Sequence, residues 1–584
     1  MESSAQNMTK EEREKLVQEY IKCKSDFEYF CRNYIVIELP GGDVYLNPYK
    51  EQLKLIKTIE QEKTVLVLKS RQIGISTIVQ AYITWLTTFF DNVVVGIISK
   101  DGPEATSFAR NIMSMLDKLP KWMTPGFKKR TEQTFILSNG SKVYATPVNP
   151  STPEKTLRGK AITFLVIDEA AFVPHIEEAW TGMVSALATS QKHARQNGIP
   201  YGTVLLSTPN KTEGVGKWFF TRYQKALSNS DIFKLFKIHW KDIPELASDP
   251  SWYETQRKLF GYDEKAIKQE LDLVFLPGSG SFFSEEICEK LQSIDCKPIE
   301  VLKLFNGEWW KFKQPEKGRY YLIGVDTAGE HGEDNSAITV WDYVTLEQVC
   351  EYQGKCSVTD FTKVVALACA QYSGIVVVEN NSYGNQVCEA LDRSEFAPML
   401  YKEKRSENKV VTGLSTNSKT RPLMIDSLYS YIAETPEIVK SRRLALELVG
   451  LVSKASGRVE GDEGCRDDLA LATACAFYVR KYDPPLAISL AGEKGNILDK
   501  VLNLNVSENL SSFTNEDIAQ FVKENIAQIS AMGGSFINTL QFYDGSSQLQ
   551  KLEPMFRIKK GPIDLEKDID SSFSFADYID LTTE

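Results

Sequence analysis

Short, almost unbroken apolar runs alternate with helical periodicity over residues 64–210. TVLVLK (Thr64–Lys69), NVVVGIISK (Asn92–Lys100), ITFLVID (Ile162–Asp168) and YGTVLLST (Tyr201–Thr208) lack a polar face. That is the pattern of strands buried on both sides in a parallel sheet. Between the second and third runs, TFILSNGSKVYATP (Thr134–Pro147) is predicted to form a hairpin turning at Asn139-Gly140. AYITWLTTFF (Ala81–Phe90) is too short and too mixed to span a bilayer and reads as a core helix. The alternation predicts an α/β domain.

A second α/β pattern starts at RYYLIGVDTA (Arg319–Ala328), continues through NSAITVWDY (Asn335–Tyr343) and GIVVVEN (Gly374–Asn380), and ends in the helix-like DDLALATACAFYVRKY (Asp467–Tyr482). Ahead of both, residues 9–33 read as helical. Thr9 and Glu12 have capping-box spacing, and Leu16, Val17, Tyr20 and Ile21 form an apolar stripe. Gly/Ser-rich LPGSGSFFS (Leu276–Ser284) marks the exit from the first domain, and EWWKFKQPEKGR (Glu308–Arg319) reads as a connector. Beyond Pro485 the pattern weakens, apart from an amphipathic helix expected over Asn515–Met532, with Ile518, Phe521, Val522, Ile526 and Ile529 on one face.

The chain has 584 residues, which implies two or three domains. The expected division is an N-terminal helical segment (1–45), a first α/β domain (46–275), a linker (276–318), a second α/β domain (319–484) and an extension of unassigned role (485–584). Apolar (42%) and charged (25%) fractions are ordinary for a globular protein. The ten cysteines are scattered without metal spacing and read as reduced thiols. The polar N-terminus does not read as a signal peptide. The net charge of −10 argues against a general polyanion binder, but residues 491–584 alone carry a net of −7. The remaining body is near neutral and leaves room for a local basic groove. Its candidates are Lys118–Arg130, Lys402–Lys409, Ser418–Arg421 and Lys440–Arg443, each of which also reads as a solvated face.

VLVLKSRQIGIST (Val65–Thr77) has the strand–loop–helix pattern that cradles phosphates on backbone N–H groups. Against GxxxxGK[ST], Lys69 replaces the first glycine and Ile75 the usual lysine, while Ser76 keeps the Mg²⁺-ligand position and Thr77 follows it. Because such a loop curls around a phosphate, an ammonium at its front reaches the same oxygens, and Arg71 adds a second cation. Later, LVIDEAAF (Leu165–Phe172) ends a strand in Asp168 and Glu169. Asp168 is expected to hold Mg²⁺, and Glu169 to orient and deprotonate water.

On these residues the chain resembles the large terminase subunit of tailed bacteriophages. The S-R-Q-[IL]-G-x-[ST]-T loop of that family is matched by Ser70–Thr77, including Gln72 and Gly74, and a lysine moved to the front of the loop is a variant found there. LVIDEAAFVP (Leu165–Pro174) resembles its Walker B segment. The resemblance implies a finger role for Arg158, reaching a neighbouring subunit's ATP. It implies coupling of hydrolysis to movement by Ser207, Thr208 and Asn210 in LLSTPN, and adenine contact by NPYKEQLKLI, through Tyr49 and Gln52. Its fold would be a RecA-like ASCE P-loop ATPase domain followed by an RNase H-like nuclease domain.

Three acidic positions fit the second half. Asp326 lies on the first strand, Glu379 ends a later strand, and Asp467-Asp468 open a late helix, the order of an RNase H-like nuclease. Such carboxylates are clustered to hold two divalent ions, one activating water and the other stabilising the leaving oxygen. Asp467 also reads as a helix cap, Asp468 is the ligand the resemblance favours, and Asp334 is an auxiliary candidate. The combined expectation is a viral DNA-packaging motor using ATP and Mg²⁺, with Mn²⁺ as an alternative at the nuclease site. The resemblance implies double-stranded DNA, a portal protein, a small terminase subunit and a homo-oligomeric ring as partners. No membrane is expected. The implied location is the host cytoplasm, docked transiently on the procapsid and absent from the mature virion. Rival readings are a helicase-nuclease and a packaging adaptor with an inactive ATPase.

Overall fold

The computed structural model describes residues 9–484, apart from 317–318, 330–333, 382, 407–408, 455–456 and 463–464, together with the strands Arg557–Ile558 and Ile579–Asp580. The expected Asn515–Met532 helix and most of the acidic tail lie outside the described residues. The chain divides into two compact units, Met1–Ser279 and Gly280–Glu584.

In the first unit, eight strands form one sheet. Their order is Lys234–Ile238, Thr64–Lys69, Gly202–Ser207, Phe164–Asp168, Val94–Ser99, Lys142–Pro147, Thr134–Leu137 and Phe127–Arg130. The first six are mutually parallel and the last two extend the sheet antiparallel. One strand therefore separates the strand ending in Lys69 from the strand ending in Asp168. The central strands are buried throughout, and each enclosed Val, Leu or Ile contributes about 1.5–3 kcal/mol relative to exposure.

The helix Ile75–Phe89 is buried except at Ser76 and Thr77. Its enclosed threonines return their hydroxyls to the backbone, Thr84 to Gln80 O at 2.9 Å and Thr87 to Ile83 O at 2.8 Å. The Asn139-Gly140 hairpin forms as expected and closes this helix's far end, with Asn139 Nδ2 donating to Thr87 O at 2.8 Å. The helices Lys10–Ser25 and Phe27–Tyr34 do not stand apart. Cys23, Phe27 and Phe30 join the same core, and Trp85 Nε1 donates to Cys23 O at 2.8 Å. Thr9 and Glu12 close the expected capping box.

The second unit holds a six-stranded sheet ordered Glu300–Leu304, Gly307–Lys311, Gln348–Gly354, Ser336–Asp342, Tyr321–Asp326 and Gly374–Val378. Only the last pair is parallel. The residues read as a connector at 308–319 therefore begin as a sheet strand. The reason is that Trp309 alternates inward and is fully buried. The helix Asp468–Tyr482 lies on the strand carrying Asp326. Gly324 makes this possible, because a Cβ there would collide with Ala472 O.

Candidate active sites

The first site lies at the C-terminal ends of three neighbouring parallel strands, the edge where open α/β sheets bind ligands. Lys69 ends its strand and is buried, and its Nζ donates to Glu169 Oε1 at 3.0 Å. Burial works against the ammonium. The charges of Glu169 and Asp168 outweigh it and hold its pKa above the ordinary lysine value. Burial also pushes the Asp168 carboxyl up to about 6, against the pull of Lys69. Ser76 Oγ donates to Asp168 Oδ1 at 3.1 Å, so the two expected cation ligands meet. Ile75, in the usual lysine position, is buried in the apolar core.

The loop is held from two directions. Gly74 has φ 73°, and a Cβ there would strike Gln52 Nε2. Gln52 is buried with both polar ends used: Nε2 donates to Ile73 O at 3.0 Å, and Oε1 accepts the Tyr49 N–H at 3.0 Å. In this structure the glutamine buttresses the loop. The Ser70 side chain is likewise engaged by the protein. Its hydroxyl donates to Leu271 O at 2.5 Å and accepts the Trp240 N–H at 3.0 Å. Arg71 Nη1 lies 3.3 Å from Glu270 Oε2. Gln72 is exposed with φ 59°, and Thr77 is half-buried in the first helical turn.

Glu169 itself has φ 50°, turning the chain sharply after the strand. Two residues on, Ala171 is gripped by the neighbouring strand's end. Its N–H donates to Ser207 Oγ at 3.1 Å, and its carbonyl accepts from Asn210 Nδ2 at 2.8 Å. Thr208 is buried, and its hydroxyl has no partner among the described residues. Arg158 is exposed on a turn between Leu157 (φ 55°) and Gly159 (φ 74°).

The second site brings together acids from three elements. Val325 pairs with Val378 in parallel register, so Asp326 and Glu379 follow at the same end of adjacent strands. Burial, then the charge of Glu379, holds the Asp326 carboxyl well above the usual range. Burial raises Asp468 to about 7, against the pull of Arg466. Asp467 does not cap the helix through its side chain; its Oδ2 accepts the Gly461 N–H at 2.9 Å. Asp334 is exposed and adds negative charge near both. Among the described residues, no three His, Cys, Asp or Glu side chains converge tightly enough as placed to hold a metal ion. The donors are nonetheless all hard carboxylate oxygens, the set that suits Mg²⁺ or Mn²⁺.

Glu447 escaped the sequence reading. It is buried beside Asp468, and burial followed by the Asp468 charge raises its pKa well above the usual carboxylate range. Of the basic segments, Lys440–Arg443 loses Arg443 to the fold. Its Nε donates to buried Glu351 at 2.7 Å, and its guanidinium stacks 3.9 Å from the Trp310 ring centroid. Lys118 is engaged by Asp43 at 2.8 Å and Glu38 at 3.0 Å, whereas Lys128 and Lys129 are exposed.

Residues 66–290 match the protein family described as "Terminase large subunit, T4likevirus-type, N-terminal". Among solved structures, the chain is similar to the HK97 bacteriophage large terminase, at 12% identity over 78% of this chain and 99% of that one, TM-score 0.38. It is similar to a large terminase from a thermophilic bacteriophage, at 12% identity over 74% and 99%, TM-score 0.31. It is also similar to the large terminase nuclease of the thermophilic phage G20c with bound magnesium, at 18% identity over 34% and 98%, TM-score 0.27.

Proposed function

We propose that the chain, whose residues 66–290 match a terminase large subunit family, couples ATP hydrolysis to movement of double-stranded DNA into a procapsid and cuts concatemeric DNA. The observation that carries the motor reading is the 3.0 Å contact between Lys69 Nζ and Glu169 Oε1, beside Ser76 on Asp168. It puts a cation from the front of the loop next to the acid that activates water.

ATP binds with its phosphates over the start of the Ile75–Phe89 helix, where free N–H groups and the helix dipole favour anions. Lys69 exchanges its carboxylate partner for phosphate oxygens. Glu169, released, orients the attacking water and accepts its proton. Mg²⁺ held by Ser76 and Asp168 supplies charge neutralisation at the phosphates. Arg158, exposed on its turn, serves the nucleotide of a neighbouring subunit in a ring. Through Ser207 and Asn210, a shift at Glu169 pulls on the strand end beside it. In the second unit Asp326, Glu379 and Asp468, with Asp467 alongside, hold Mg²⁺ or Mn²⁺, which supplies an activated water and leaving-group stabilisation. The motor occupies residues up to Ser279 and the nuclease begins at Gly280. A portal protein and a small terminase subunit complete the assembly, which acts in the host cytoplasm on the procapsid.

Packaging into portal-bearing procapsids, read as nuclease-protected DNA, tests the reading. Wild type protects DNA only with ATP, and Lys69→Ala and Glu169→Gln protect none. Failure of wild type to give ATP-dependent protection overturns it.

A further inference from the structure

The helix Asp468–Tyr482 starts inside a buried acid cluster, where its first free N–H groups need acceptors. Asp467 stands in the capping position but its carboxylate is turned to Gly461. The acceptor comes from a different helix, Arg442–Val449. Glu447 Oε2 takes the Leu469 N–H at 2.7 Å and the Ala470 N–H at 3.1 Å. Its other oxygen accepts from Gln353 Nε2 at 2.7 Å, and the same nitrogen donates to Asp468 Oδ2 at 3.3 Å. Asn335 N–H and Arg466 Nη1 reach that same oxygen, each at 3.3 Å. Asp468 Oδ1 has no protein donor among the described residues.

This arrangement exceeds what helix stability needs. A cap on the preceding residue satisfies a helix start without a second buried carboxylate, and bringing one next to Asp468 is costly. The bonds of Glu447 divide between two tasks: two fix where the helix begins, and one orients an amide that turns Asp468. One carboxylate oxygen is thereby fixed by the protein and the other is left open.

We propose that Glu447 and Gln353 are positioning residues of the nuclease site, a relay that presents Asp468 Oδ1 to a divalent cation. The proposal rests on the nuclease reading above. Partners behind metal-ligating side chains typically change metal affinity by roughly 10–100-fold when removed.

The test uses the full chain carrying Gln353→Leu or Glu447→Gln. Gln353→Leu also removes a buried amide oxygen that has no partner among the described residues, so it is expected to keep the fold even where Glu447→Gln does not. Two quantities are read. One is Mn²⁺ binding by calorimetry, counting only the part lost in Asp326→Ala. The other is the Mn²⁺ concentration giving half-maximal DNA cutting. Both are expected to move roughly 10–100-fold toward weaker binding in Gln353→Leu. Cutting recovers at saturating Mn²⁺, and melting temperature and ATP turnover stay unchanged. Wild-type Mn²⁺ binding in Gln353→Leu overturns the relay. So does a lowered melting temperature with cutting that no Mn²⁺ concentration restores, since that marks a merely structural role. If wild type neither cuts DNA nor binds Mn²⁺ through Asp326, the nuclease reading itself fails, an outcome distinct from both.

Discussion

The two sites balance their charge in opposite ways. In the first, every acid has a partner: Glu169 has Lys69, Asp168 has Ser76, and Glu270 has Arg71. In the second, Asp326, Glu379, Asp467, Asp468 and Glu447 crowd together, and among the described residues the arginine bonded to one of them is Arg466 on Asp468. The first site pairs two of its three acids with cations and the third with a hydroxyl, and in the mechanism proposed it exchanges these internal partners for substrate. The second carries an unrelieved repulsion that an external cation would remove.

The sharpest way to break this comparison is to disable each site alone. Lys69→Ala is expected to lower ATP turnover by roughly 10²–10³-fold, the scale for removing one preorganised charge from a transition state, and to leave Mn²⁺-dependent cutting of DNA intact. Asp326→Ala should do the reverse. Turnover unchanged in Lys69→Ala would sink the role given to a lysine in front of the loop.

The repulsion itself predicts that Asp326→Asn makes the protein more stable while abolishing cutting. The carboxyl's folded pKa is raised, so ionisation disfavours the folded state. That penalty is absent below the unfolded value near ~3.9 and complete above the folded one. At pH 8 the melting temperature should rise by roughly 2–4 °C for each kcal/mol relieved, and the gain should vanish in acid. A drop at pH 8, measured by calorimetry, contradicts the charge picture. A smaller effect is expected from Asn210→Ala, which frees the Ala171 carbonyl. Hydrolysis persists, but DNA packaged per ATP falls several-fold, and an unchanged ratio removes this contact from the coupling path. Smallest is Thr9→Ala, which costs about 1 kcal/mol of stability by loss of the cap and is read by denaturant unfolding.

Apolar runs made the central strands legible because burial on both faces leaves no polar position to confuse the period. The Thr9–Glu12 cap and the Asn139-Gly140 turn were legible because their chemistry is local. The order of Asp326, Glu379 and Asp468 could be read because each acid terminates or opens an element. Glu447 could not. In RRLALELV it stands four residues after Arg443, the spacing of an ordinary solvent-facing ion pair. In the fold both are buried and bond elsewhere, Arg443 to Glu351 and Glu447 to the next helix. The protein contacts of the Gln52 and Ser70 side chains were not legible, because a sequence does not say which backbone groups a polar end meets. The Glu308–Arg319 stretch was misread for a similar reason: it begins as an inner strand, but Glu308, Lys311 and Lys313 around its tryptophans make it look like a tether.

The missing side chain at Gly324 has a consequence for how the second site, the proposed nuclease centre, is tuned. Backbone lies against backbone there, two residues before Asp326 on one side and four after Asp468 on the other. The gap between the two acids is thus gauged by a single hydrogen atom. Adding one methyl group at that contact would prise strand and helix apart and silence scission, with every charged residue still in place.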